Sequence, residues 1–397
     1  MPRRPRAGQG RACRRGAPVL GVGLKMLFGD PVKLLGLVAG IAFSTLLMTQ
    51  QGGFFVGLIS RSAAVIGEAG GVDVWVMDPL TETVESPSPL RETDVLRVRG
   101  VPGVAAAEPF LLGTGSLLTA KGETTAVAMI GVDDGSFLGL TPRFVAGSPD
   151  DLRRPDAVAL DQLAFANLWP GEPIEPGRLV EINGRRAVIA ALTDVTPGFG
   201  APATAYGRRS EVAALLGTPQ PTSFVLVRAA AGEDPAALAS RIEARTGLRA
   251  LTAEGFTDAT IGFILTSTGI AFSFGVVIAL GAVVGILVAG LTFSLFVNEN
   301  LRQFAVLKAV GLSNGRLALM VLAQALTVAA IGYSIGLWLA SAFFDAVDQP
   351  LSDLKGFFLP WQVAALVAGA TVVIIALAAL SSLWRVLRLD PATVFRG

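Results

Sequence analysis

Four stretches of this sequence are apolar, uncharged at their centres and long enough to cross a bilayer. No other feature limits its fold so strongly. A spanning helix needs about 20 mostly apolar residues, because in hydrocarbon every backbone N–H and C=O must be paired within the segment. The first stretch begins near 32, with LLGLVAGIAFSTLLMTQ at its heart. The second lies within 261–297 (FSFGVVIALGAVVGILVAGLTFSLFV), the third covers 317–344 and the fourth 361–384. Four such stretches together argue against an ordinary soluble fold.

Charge is segregated to match. Charged residues make up 16% of the chain, against about 25% in a typical soluble domain. Residues 61–260 hold 17 Lys/Arg and 25 Asp/Glu, and the remainder holds 15 and 6. The central block is therefore acidic and of soluble composition, while its flanks are basic and apolar. Cys13 is the single cysteine and histidine is absent. That excludes an intrachain disulfide, zinc sites built on His or several Cys, and histidine acid–base catalysis. There is no GxxxxGK[ST] phosphate loop, so the chain supplies no P-loop ATPase, and with histidine absent a membrane-bound hydrolase is a weak reading.

Lys and Arg placement orients the spans. Segment 1–31 carries Arg3, Arg4, Arg6, Arg11, Arg14, Arg15 and Lys25, with Lys33 just beyond. Segment 298–316 carries Arg302, Lys308 and Arg316, and 385–397 carries Arg385, Arg388 and Arg396. Segment 345–360 instead places Asp345, Asp348 and Asp353 against Lys355. Both termini and 298–316 are thus expected in the cytoplasm of a bacterial cell, with 61–260 outside its inner (plasma) membrane. The fold class is a four-span α-helical membrane protein with an inserted extracytoplasmic α+β domain. The apolar run after the basic N-terminus exceeds a signal-peptide core and ends in no clear small-x-small site, so it reads as an uncleaved span.

The second stretch has 37 residues; as one helix it would measure about 55 Å, against about 30 Å of hydrocarbon. Tilt alone does not absorb such an excess. The simplest reading is a two-helix stalk, with 32–60 and 261–297 both projecting beyond the bilayer. A break near Gly262 or Gly269 is the alternative. Pairs of glycines four apart, Gly36/Gly40, Gly281/Gly285 and Gly332/Gly336, permit close helix approach, either within the chain or between two chains.

Periodicity in 61–260 predicts two βαβ-like units bracketing a middle section. Strand Asp73-Val-Trp-Val-Met, a helix over 91–99 started by Thr93 or Asp94, and a strand over 104–112 form the first. SFVLVR at 223–228, a helix over 234–246 and a strand over 248–252 form the second. Asp234 is a cap, Pro235 suits the first helical position and Gly247 the residue past the end. A hairpin turns at Lys121-Gly122, and 140–220, rich in Pro and Gly, reads as a small mostly-β subdomain. The acidic pairs Asp133-Asp134 and Asp150-Asp151 read as solvated turns rather than cation ligands.

Segment 298–316, NENLRQFAVLKAVGLSNGR, is the most informative. Asn298 suits a helix cap and Glu299 the first turn. No Pro or Gly interrupts 299–310, and Gly311 can end the helix with a positive φ. On these grounds alone a coupling helix and a plain polar connector stand level. The run E-x-x-R-x-F-A-x-L-K-A-x-G, formed by Glu299, Arg302, Phe304, Ala305, Leu307, Lys308, Ala309 and Gly311, resembles the signature of FtsX-like (MacB-like) ABC transporter permeases. The closing Arg388-Leu-Asp390-Pro391-Ala-Thr-Val-Phe-Arg396 is similar to that family's C-terminal motif. GIAFSTLLMTQQGGFFVGL followed by DVWVMDP resembles the DevC branch in particular. The likeness covers the whole chain, with one departure: the family often has an acidic residue after the arginine, and position 303 is Gln.

The resemblance implies a periplasmic core domain of MacB type and a non-catalytic membrane subunit. Its loop helix docks on a separate cytoplasmic ABC ATPase that binds the ATP and magnesium, so no cofactor is expected in this chain. Two permease chains pair, and movement passes through the stalk to the outer domain, for export or mechanotransmission. Arg302 would meet acidic groups on the ATPase, Phe304 and Leu307 would plug a groove in it, and Lys308 would anchor at lipid headgroups. The DevC likeness adds a periplasmic membrane-fusion adaptor; no nucleic acid is expected as a partner. The alternative is an FtsX-type scaffold regulating an outer partner such as a cell-wall hydrolase.

Overall fold

The computed structural model describes residues 17–198, 200–217, 222–349 and 351–387; the motif at Arg388, Asp390 and Pro391 lies outside them. The first elements are α1 (Ala17–Phe28), α2 (Pro31–Ser62), α3 (Ala64–Glu68), β1 (Val74–Met77), α4 (Glu92–Arg99), β2 (Val104–Thr119) and β3 (Thr124–Val132). Next come β4 (Phe144–Ala146), a 3₁₀ turn (Pro149–Arg153), β5 (Ala157–Asp161), α5 (Gln162–Leu168), β6 (Leu179–Ile182), β7 (Arg185–Thr193), β8 (Ala203–Arg208) and α6 (Arg209–Leu216). The last are β9 (Phe224–Ala229), α7 (Pro235–Thr246), β10 (Arg249–Thr252), α8 (Ala253–Ser267), α9 (Ile270–Glu299), α10 (Leu301–Ala309), α11 (Asn314–Val347) and α12 (Trp361–Leu387).

Two compact units result. Among the described residues, the membrane unit gathers 17–52, Gly275–Ala342 and 359–387. The inserted unit gathers Gly53–Phe274 and Phe343–Phe358. Four helices, Pro31–Ser62, Ile270–Glu299, Asn314–Val347 and Trp361–Leu380, are long and apolar enough to cross a membrane.

In the membrane unit, small residues decide where helices meet. A Cβ on Gly40 would stand 2.5 Å from Val288, one on Gly332 2.7 Å from Ile41, and one on Gly336 2.5 Å from the Ala42 carbonyl. Gly281 faces Met48 and Gly285 faces Ser44, while Gly36 has only Thr292 within reach. All six glycines thus serve packing inside this chain, α2 against α9 and α11. Polar side chains close gaps between helices: Ser44 Oγ donates to the Gly281 carbonyl (2.9 Å) and Gln324 Nε2 to the Gly23 carbonyl of α1 (2.7 Å). α1 was not expected from the sequence; its Leu27 is fully buried in the bundle core with Leu37, Ile41, Phe293 and Met320.

The second apolar stretch is not one overlong helix. α8 ends at Ser267, and α9 begins at Ile270 beyond Gly269, whose φ of +69° breaks the ladder. The single-helix form of the stalk is thereby corrected for this stretch. α2 does run on without a break for 32 residues, about 48 Å.

The inserted unit is built on interleaved split βαβ units. The order β10-β1-β9-β2, with β1 antiparallel to both β9 and β10 and β9 antiparallel to β2, is the ferredoxin-like arrangement. Strand alternation sends Val74, Val76, Val225 and Val227 to α4 and α7. It sends Trp75, Phe110 and Phe224 to the other face, where they meet Phe256 of α8 with rings edge-on or tilted 5.4–6.3 Å apart. α7 has the expected ends: Asp234 accepts from Ala236 and Ala237 N–H, and Gly247 is left-handed. α4 starts at Glu92, not at Thr93 or Asp94: Asp94 sits at the third position and returns its carboxylate to Arg91 N–H (3.1 Å). The distal half of β2 continues into a second sheet with β3, β8, β5, β7, β4 and β6 around Phe165, Trp169 and Ile189. The hairpin turns at Gly122, φ +87°. The acidic pairs serve hydrogen bonds within the protein: Asp133 takes Gly135 and Ser136 N–H, Asp134 takes Ser210 N–H, and Asp151 closes a capping box with Ser148.

Candidate coupling surface between the second and third spans

α9 stops because Asn300, with φ −94° and ψ 7°, turns its side chain back to donate to the Phe296 carbonyl at 2.8 Å. α10 starts at Leu301, so Asn298 lies inside the end of α9 and is no cap. At its other end Gly311 has φ +98°. Gly311 N–H donates to the Lys308 carbonyl (3.0 Å) and Leu312 N–H to the Leu307 carbonyl (3.1 Å), a complete Schellman motif. The C-terminal end of this short helix is therefore fixed by local chemistry, while at its start Asn300 closes α9 rather than capping α10.

Its two sides differ sharply. Phe304 and Ala305 are each 1% exposed, and Phe304 belongs to the core that includes Phe293, Phe296, Leu317 and Val321. Leu307 and Leu312 pack beside them. Glu299, Arg302, Gln303, Val306, Ala309, Val310 and Gly311 are exposed, and Lys308 is half-buried. This corrects the expectation for Phe304: its ring is inside the protein's own bundle and cannot plug a partner's groove. Burial of such a ring contributes about 2–3 kcal/mol to mounting the helix. The apolar side chains left for a partner are Val306 and Val310. With Arg302 they stand four residues apart, one above the other on one helical face. That 302–306–310 spacing was the missed signal: within the motif Phe304 and Ala305 face in and Arg302 faces out, and Val306 and Val310, outside the motif's named residues, complete the outward face.

Beside this face lies a polar cavity of about 530 Å³ lined by Lys25, Asp30, Lys33, Glu299, Asn300 and Gln303, among others. Lys33 bridges Asp30 and Glu299 across it. Glu299 is thereby tied to the start of α2, while Gln303 stands at the rim next to Arg302. The surface offers a cation, two small apolar side chains and an adjoining polar recess. It suits docking of a protein surface with complementary acid and apolar groups.

Comparison with known proteins agrees with this picture. Residues 33–245, more than half of the chain, match the MacB-like periplasmic core domain, and 275–391 match the FtsX-like permease C-terminal family. The chain is 27% identical over 345 residues to an uncharacterized ABC transporter permease of Mycobacterium tuberculosis, in strain H37Rv and equally in strain CDC 1551; the match covers 82% of this chain and 85% of the relative. Among solved structures, the periplasmic region of MacB from Actinobacillus actinomycetemcomitans is similar at 13% identity, covering 48% of this chain and 92% of that one, TM-score 0.36. The extracellular domain of the noncanonic ABC-type transporter YknZ from Gram-positive bacteria matches at 17% identity, covering 45% and 98%, TM-score 0.32. With four spans, an inserted domain matching the MacB-like family model and the helix at Leu301–Ala309 in place, the chain belongs to the FtsX-like, MacB-like family of ABC transporter permeases.

Proposed function

We propose that this permease is the membrane subunit of an ATP-driven complex in a bacterial inner membrane. A separate ATPase, which binds the ATP and magnesium, docks on α10, and its closure moves the inserted domain against an extracytoplasmic partner. The observation that carries this reading is the mounting of α10. A partner pushing on Arg302, Val306 and Val310 pushes through Phe304 directly on the bundle core, because a helix closed by a Schellman motif and anchored by a buried ring does not yield as a loop would. The Lys/Arg bias of 1–31, 298–316 and 385–397 supports cytoplasmic termini and a cytoplasmic α10. α2 is one unbroken helix, with residues up to Gly52 in the membrane unit and those from Gly53 in the inserted unit; a continuous helix is a stiff link along its own length. The chain acts as a non-catalytic subunit, paired with a second permease chain, and the DevC likeness adds a periplasmic adaptor.

The reading is tested by placing a photo-crosslinking amino acid at Val306, Val310 or, as an inward control, Ala305 in the full chain in its native membrane. Capture of an ABC ATPase from Val306 and Val310 but not from Ala305 is the expected result. Absence of any ATPase adduct from either exposed position would overturn it.

A further inference from the structure

The segment between α11 and α12, read from the sequence as a plain external connector, belongs to the inserted unit and is fastened there at several points. Lys355 Nζ lies 2.5 Å from Asp194 Oδ1 and 2.8 Å from the Val195 carbonyl, with a side chain only 12% exposed. Gln162 Nε2 donates to the same Asp194 oxygen at 2.6 Å. Asn167 Nδ2 donates to Asp353 Oδ1 at 2.7 Å. Gly356, at φ +85°, lies so close to Thr196 that a Cβ would stand 2.7 Å from its methyl group. Phe357 packs on Phe54 (ring centroids 5.3 Å apart) and under the Arg61 guanidinium (5.1 Å).

The same fastening holds the β7–β8 connection, Asp194 to Pro202. Thr196 N–H donates to Glu68 (3.2 Å), Arg61 Nε to the Pro197 carbonyl (3.1 Å) and Gly200 N–H to Glu85 (3.1 Å). Arg61 also donates to the Asp353 carbonyl at 3.2 Å, so the outer end of α2 and the 353–357 segment grip this strap together. Among its described residues the strap carries no strand pairing between β7 and β8, and Gly198, Gly200 and Ala201 line cavities of about 340 and 130 Å³. Its position is therefore set by side chains: Arg61 of α2, Glu68 of α3, Glu85, and Lys355 of the α11–α12 segment.

We infer that the 345–358 segment is a second mechanical attachment between the membrane helices and the inserted domain, with Lys355 its anchoring residue and the 194–202 strap the part it moves. This rests on the proposed coupling for the source of force, and adds where that force is delivered. Covalent continuity makes the attachment effective: α11 and α12 end at the two ends of this segment, so their displacement pulls directly on Lys355. Removing Lys355 takes from the strap both the ion pair to Asp194 and the hydrogen bond to the Val195 carbonyl and leaves Asp194, 37% exposed, only its Gln162 hydrogen bond, so the strap is expected to loosen.

The test is amide hydrogen exchange on the full chain in lipid nanodiscs, alone and with its co-purified ATPase. In the chain alone, Lys355→Met is expected to raise exchange at 194–202 about tenfold or more, leaving β2 and β3 unchanged, while Lys355→Arg restores most of the protection. Unchanged exchange at 194–202 in Lys355→Met overturns the attachment. With the ATPase, ATP is expected to alter exchange at both α8 and 194–202 in the natural chain. In Lys355→Met the 194–202 response is expected to vanish while ATP hydrolysis and the α8 response persist, an outcome that a general loss of stability would not give. Persistence of the strap's ATP response in that variant overturns the coupling role. Absence of any ATP response anywhere in the natural chain counts instead against the proposed function.

Discussion

Phe304 and Val306 are two positions apart in α10 and stand on opposite sides of it: Phe304 is 1% exposed and Val306 44%. Two residues advance a helix by about 200°, so one short element carries an anchor on one side and an offered surface on the other. The two roles separate by substitution. Phe304→Ala is expected to destabilise the membrane unit by about 3–5 kcal/mol, as large-to-small changes of buried rings do, visible as a lowered thermal midpoint of the detergent-solubilised chain. Val306→Glu is expected to leave that midpoint within the scatter of surface substitutions, about 0.5 kcal/mol.

Glycines at helix crossings and helix ends differ in what they require. Gly332→Val should be strongly destabilising, because even a Cβ there stands 2.7 Å from Ile41 and 3.1 Å from the Val38 carbonyl. Gly290→Ala, with nothing within 4 Å and an ordinary backbone, should be neutral or slightly stabilising, since glycine costs about 1 kcal/mol in a helix interior. Gly311→Ala is limited by backbone alone: space is open, but φ is +98°, and the expected cost is about 1–2 kcal/mol. Thermal unfolding of the three variants in one detergent checks the order.

Stability of the inserted unit should vary with pH in a direction set by Asp161. Burial pushes its carboxyl up to about 6 from an ordinary 3.8, against the N–H groups of Thr204 and Ala164 and the charge of Lys355, which pull it down. A folded-state value above the unfolded one means that the native state binds the proton more readily. Asp161 therefore favours the fold increasingly as pH falls from about 6 toward 4, by on the order of 3 kcal/mol. Asp194 has the opposite sign. Burial pushes it up, but the hydrogen bonds and charge of Lys355, with Gln162, outweigh that and hold it low. Its contribution is present above the ordinary value of 3.8 and is lost only below it. Unfolding midpoints of the full chain between pH 4.5 and 7.5 should thus fall with rising pH, and Asp161→Asn should flatten that slope whatever its offset.

Much of this architecture was legible because its causes are local. Bilayer length and exclusion of charge fix the four spans, and Asp234, Pro235 and Gly247 mark the ends of α7 from positions immediately beside or within its first turn and just past its last. The ferredoxin-like interleaving was only half legible: both βαβ-like units were visible, but the pairing of β1 with β9 joins residues about 150 apart in the sequence. α1 gave no cap and lay among glycines, so its helix is held by tertiary contacts of Leu27 rather than by propensity. The direction of Phe304 was hidden for a related reason. A phenylalanine in a loop between two spans reads as exposed until the neighbouring helices bring Phe293, Phe296 and Leu317 around it. The attachment at Lys355 depends on side chains from three distant segments, and its sequence showed only one base among three acids.

The most direct measurement of the central claim is the affinity of the purified full chain for its ATPase, compared between the natural protein, Val306→Glu and Phe304→Leu. The expected result is a loss of at least about tenfold for Val306→Glu at an unchanged thermal midpoint. Phe304→Leu should bind as the natural protein does despite a lowered midpoint. Equal affinity for Val306→Glu and the natural chain would contradict the assignment of the Arg302–Val306–Val310 face as the surface through which ATP hydrolysis enters this permease.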